Sequence, residues 1–105
     1  MEGRIHSVNS APVVDISETG ALLEVTSALR PGTIYVLRLS FGADRQLTIR
    51  SRVIRTFVHS FQPKTGGESM VNYRAAVEFV DLPDADRALL RAHIDSIQNL
   101  DMEFE

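Results

Sequence analysis

Apolar and polar residues alternate one for one through several stretches of this chain, and turn-forming residues break the alternation roughly every ten positions. Tyr35, Leu37, Leu39 and Phe41 share one face of such a stretch, and Tyr73, Ala75, Val77 and Phe79 share one face of another. A repeat of two is the side-chain period of a β-strand, so each stretch can bury one face and keep the other wet. The chain is committed to sheet over most of its length.

The punctuation divides it further. Val13 and Val14 close a first extended segment, and Asp15-Ile16-Ser17-Glu18-Thr19-Gly20 reads as a turn in which Gly20 takes positive φ before Ala21 to Thr26 resumes as a strand. Arg30-Pro31-Gly32 carries the Pro-Gly signature of a type II turn, and Gly42 to Arg45 turns the chain back again. Leu47, Ile49 and Val53 keep the alternation, but the apolar positions then move to Ile54 and Val58. That shift implies a bulge or a bent long strand from which Arg50, Arg52 and Arg55 project. Gln62 to Ser69 is polar and Gly-rich, a loop. Four or five strands are expected before any helix.

The end differs in kind. Asp81-Leu82-Pro83-Asp84 sets an acid and a proline where a helix starts, and Leu90, Ile94 and Ile97 follow at helical spacing, which predicts one closing helix over about 83–98. Residues 100–105 read as an acidic, frayed tail beyond a single domain of 1–99. A chain of 105 residues suffices for one core, burying roughly two thirds of its unfolded surface. Consecutive short strands with tight turns predict an antiparallel barrel or sandwich.

Composition narrows the function. With no cysteine, disulfides and thiolate metal sites are excluded, which fits a cytoplasmic protein, and no stretch has the length to span a bilayer. A net charge of −3 argues against nucleic acid as a partner. His6, His59 and His93 lie on separate elements without metal-ligand spacing, and neither a Gly-x-Ser-x-Gly elbow nor a phosphate-cradling glycine loop is present. No catalytic residue, metal ligand or cofactor site is expected. The chain reads as a binding protein, not an enzyme. Of its eleven cationic residues ten are arginine, whose planar fork suits phosphate and guanine. The row of Arg50, Arg52 and Arg55 fits either phosphate binding or a solvated outer face.

Asp15-x-Ser17-x-x-Gly20 is the most informative stretch. It serves as a turn on its own chemistry, with short polar side chains bonding nearby backbone. In context, between Val13-Val14 and Ala21-Leu22-Leu23, followed by Arg30-Pro31-Gly32, Ala75-Ala76-Val77-Glu78-Phe79 and a final helix, it resembles the PilZ domain family from about Val13 to Ile97. The resemblance implies a six-stranded antiparallel β-barrel with a C-terminal helix. It also implies reception of the bacterial second messenger cyclic di-GMP, with Asp15, Ser17 and Gly20 around a guanine.

The family's second motif, Arg-x-x-x-Arg upstream of that turn, is missing here, and Arg4 alone precedes Asp15. Arg87 and Arg91 have the spacing, but on the closing helix, where they read as two exposed positions one turn apart. Charged hydrogen bonds are worth about 1.5 to 3 kcal/mol each, so losing both arginines removes roughly 3 to 6 kcal/mol from binding. A receptor near ~1 μM then falls to roughly 0.1 mM or weaker, unless Arg4, the strand arginines Arg50, Arg52 and Arg55, or a partner chain supply replacements. Two readings stay open: a cyclic di-GMP receptor using Asp15, Ser17, Gly20 and Arg4, or a related module that has lost the ligand and regulates a protein partner in motility, pilus or exopolysaccharide systems.

Overall fold

The computed structural model describes residues 8–41, 45–63 and 69–104. Six strands, β1 (Val8–Ile16), β2 (Gly20–Val25), β3 (Ile34–Phe41), β4 (Arg45–Pro63), β5 (Ser69–Val80) and β6 (Asn99–Phe104), close into a barrel in the order β1-β2-β5-β4-β3-β6. All pairings are antiparallel. A single helix, α1 (Asp84–His93), and a 3-10 turn over Ile94–Ser96 connect β5 to β6. The mainly β barrel with one helix is the fold that the alternation and the resemblance predict.

The core follows from the period of two. Leu37 and Leu39 on β3, Leu47, Ile49 and Val53 on β4, Leu23 on β2 and Ala75 and Val77 on β5 are all buried. Leu90 of α1 is fully buried in the same cluster, so the helix packs onto the barrel through its apolar stripe. At Arg30-Pro31-Gly32 the type II turn forms as expected, with Gly32 at φ +89° and the Thr33 N–H donating to the Arg30 carbonyl at 3.2 Å. The bulge after Val53 is present too: Val53 pairs with Val77 and Arg55 with Ala76, leaving Ile54 as the extra residue.

Four expectations are corrected. Residues 100–104 are not a frayed tail: they belong to β6, which completes the barrel between β1 and β3. Leu100 and Met102 alternate into the core at 2% and 4% exposure, and Arg38 on β3 donates to the Glu103 carboxylate at 3.2 Å, which offsets the acidity that made the segment look solvated. The helix stops at His93 instead of running to 98, because His93 leaves helical geometry at φ −122°, ψ 11° and its carbonyl accepts from the Ser96 hydroxyl at 2.8 Å. The first segment continues past Val14 to Ile16. Of the expected loop at 62–69, Gln62 and Pro63 end β4 and Ser69 begins β5, while 64–68, like the turn at 42–44, lie outside the described residues.

β4 and β5 outrun the barrel. β3 begins opposite Arg52, and β2 ends opposite Tyr73, so the pairs from Phe57↔Arg74 to Pro63↔Ser69 extend mostly as a two-stranded ribbon. Its root is tied to the β2–β3 connection by Thr56, whose hydroxyl donates to the Leu29 carbonyl at 2.8 Å. Val58 and Phe61 continue the inward side of the strand beyond the core, and each is 59% exposed.

Candidate functional site

Asp15 reaches the outer surface through a bulge. Val13 pairs with Leu23 and Asp15 with Leu22, so Val14 is extra. Val13 and Ile16 both pack against the core, whereas strict alternation from Val13 would have turned Asp15 inward. The inserted residue reverses the faces and leaves the carboxylate outside. Asp15 makes no hydrogen bond or ion pair among the described residues, so its acceptor capacity is unused.

Ser17 and Gly20 close the hairpin that follows. The Ser17 N–H donates to the Gly20 carbonyl at 2.9 Å, and the Ser17 hydroxyl accepts from the Thr19 N–H at 3.2 Å and lies 3.1 Å from the Thr19 hydroxyl. Ser17 thus has the turn role its chemistry predicts, and its side chain is still exposed. Gly20 is corrected: it does not have positive φ. A Cβ there would lie 2.3 Å from the Val77 carbonyl oxygen, so glycine is required because β2 and β5 approach closely at this point.

Register lays the motif out as one end of a larger outer surface. Asp15 pairs with Leu22, Leu22 with Ala76 and Ala76 with Arg55, a lateral row across four strands. The neighbouring row runs from Ser17 through Gly20 and Glu78 to Arg52. Arg52 Nη1 donates to Glu78 Oε1 at 2.9 Å, and the Arg55 guanidinium lies 5.2 Å from the centroid of the Phe57 ring. Arg50, Arg52 and Arg55 are exposed, as predicted for that strand.

Helix α1 also reaches this hairpin. Arg91 grips Glu18 with two bonds, Nε to Oε2 at 2.9 Å and Nη2 to Oε1 at 2.7 Å. These hydrogen bonds lower the Glu18 pKa from its ordinary 4.5; desolvation opposes them, and the charges of Arg91 and then Arg87 reinforce them. The helical arginines are therefore not simply two exposed positions: Arg91 clips the motif turn, and the half-buried Arg87 has its Nε sealed from solvent. No local sequence signal announces a contact between residues 18 and 91. Arg4 lies outside the described residues.

Other features add little chemistry. A cavity of about 470 Å³, lined by Ser10, Glu24, Leu29, Tyr35 and Asn72 among others, holds none of the sequence-predicted site residues. Among the described residues no three His, Asp or Glu side chains gather at a metal-binding distance, and no helix is long and apolar enough to cross a membrane. Compared with known proteins, residues 5–96 match the family model described as the PilZ domain. No curated protein and no solved structure matches the chain.

Proposed function

Since the chain belongs to the PilZ domain family and is thus a signalling module of the cyclic di-GMP-receptor type, we propose that it binds this nucleotide on the outer face of its β1–β2 hairpin. The observation that carries the reading is the bulge at Val14, which turns Asp15 outward beside the exposed Ser17, with no partner for its carboxylate among the described residues. A carboxylate and a hydroxyl at the surface accept the N–H donors of a guanine edge. Gly20 keeps the neighbouring surface low, and Arg4 is the cation from the upstream segment. The module acts by binding, without catalysis, in the cytoplasm.

Isothermal titration calorimetry with cyclic di-GMP tests this directly. Saturable heat from the wild-type chain that disappears in Asp15→Ala is the expected result. Absence of heat up to millimolar ligand overturns the receptor reading.

One observation favours the alternative, a PilZ adaptor that regulates a protein partner. Phe57, Val58 and Phe61 are exposed large apolar residues on the β4–β5 ribbon, a concentration of the sort that marks contact surfaces. A chain silent toward the nucleotide would act through that ribbon.

A further inference from the structure

Within residues 1–105 no Arg-x-x-x-Arg precedes Asp15, and strand register supplies a source of cations for a ligand's phosphates. We propose that Arg55 and Arg52 of β4 form the phosphate-binding half of the site, facing Asp15 and Ser17 across the outer surface of β2 and β5. This inference rests on the receptor reading and names the groups that complete it.

The argument is geometric. Each of the two lateral rows begins at a motif residue of the β1–β2 hairpin and ends at an arginine on β4. At roughly 4.8 Å per strand, Asp15 and Arg55 are separated by about 14 Å of surface along the backbone. An arginine side chain reaching back along the row shortens that gap to the scale of one nucleotide, from base edge to phosphate. Between the ends lie Leu22 and Ala76 on the first row and Gly20 and Glu78 on the second. The low ground is at Gly20, without a side chain, and Ala76, with a single methyl group, where a flat ligand can lie against the sheet beside Leu22.

The bulges at Val14 and Ile54 produce this together. Each reverses the faces of its strand, and without them Asp15 and Arg55 would both point into the core. Arg55 is steadied over the Phe57 ring and makes no hydrogen bond or ion pair among the described residues, so its five donors are available to phosphate. Arg52 is held by Glu78, which also places a negative charge in the middle of the surface. Glu78 therefore opposes an anionic ligand while fixing the arginine that would bind it.

Two probes separate this inference from the receptor reading: cyclic di-GMP, and inorganic pyrophosphate, which presents phosphate without a base. Calorimetry and NMR of the arginine Nε–H groups are followed in the wild type, Arg55→Ala, Glu78→Gln and Asp15→Ala, all exposed or half-exposed positions whose amide spectra check the fold. Arg55→Ala is expected to weaken both probes about tenfold, the loss of one charged hydrogen bond. Glu78→Gln should tighten both, since it frees Arg52 and removes a like charge, an outcome that a purely structural pair would not give. Asp15→Ala should weaken cyclic di-GMP and spare pyrophosphate.

Pyrophosphate that obeys these rules while cyclic di-GMP gives no binding retains the arginine face and rejects the receptor. Nucleotide binding that needs Asp15 but ignores Arg55 and Glu78 retains the receptor and overturns the inference. Silence from both probes overturns both.

Discussion

Two hairpins of this barrel are held in opposite ways. The β1–β2 hairpin is tied on every side: its Thr19 carbonyl accepts from the Phe79 N–H at 2.8 Å, the Ser17 hydroxyl is bonded within the turn, and Glu18 is gripped by Arg91. The β4–β5 ribbon leaves the barrel and leaves Val58 and Phe61 in water, with one side-chain bond across it, Asn72 to Ser60 at 3.0 Å, among the described residues. A hairpin fixed from three directions can hold a carboxylate where a small rigid ligand needs it. A ribbon with few buried contacts opens locally at low cost, which suits an adaptable protein contact. Polar precision and apolar adaptability are assigned to different hairpins of one sheet.

The largest effect should come from breaking the tied hairpin at its closest approach. Gly20→Ala puts a methyl carbon against the Val77 carbonyl oxygen, backbone against backbone, so a strand must move. We expect a loss of about 3 kcal/mol, at the upper end for overpacking. The double variant Val58→Ser, Phe61→Ser on the ribbon should change stability by less than about 0.5 kcal/mol, as surface substitutions usually do. Urea denaturation of both variants measures the contrast; equal losses would show that the ribbon is part of the cooperative core after all.

That prediction also marks how far the sequence could be read. Period-two alternation identified the inward faces of β3, β4 and β5, and Pro31-Gly32 identified its turn, because both signals are local. The bulge in β4 was visible as a slip in the apolar register from Val53 to Ile54. β6 was hidden by composition: Asp101, Glu103 and Glu105 mask the alternation of Leu100 with Met102, and the partner of Glu103, Arg38, is remote in sequence. The motif residues were legible, but the reason for Gly20 was not. A close approach to Val77 depends on the β2–β5 pairing, which no local pattern encodes. The Glu18–Arg91 contact and the alignment of Asp15 with Arg55 are likewise products of register and closure.

A smaller effect should sharpen the difference between the two halves of β4. Ser51 faces the packed half, is fully buried, and its hydroxyl has no hydrogen-bond partner among the described residues. An unsatisfied buried hydroxyl costs about 1 to 3 kcal/mol in desolvation, which alanine does not incur. Ser51→Ala is therefore expected to stabilise the chain by about 1 kcal/mol, read as a higher urea midpoint at unchanged slope. A destabilised variant would mean that the hydroxyl is satisfied by buried water.

The smallest effect concerns what fixes the hairpin to the helix. The Glu18 pKa is lowered in the folded chain, so the contact contributes above the ordinary value of 4.5 and is lost as pH falls through the lower, folded value. Both groups are solvent-exposed, so global stability should barely respond, and salt should weaken the pair further. The sensitive readout is local: NMR titration of the Glu18 carboxyl should give a midpoint below 4.5 that returns toward it in Arg91→Ala. At neutral pH the Asp15 backbone amide should keep its chemical shift in Arg91→Ala if the bulge and the β2–β5 pairing, not the clip, hold the residue outward. Movement of Asp15 along with Glu18 would instead make α1 part of the site's positioning.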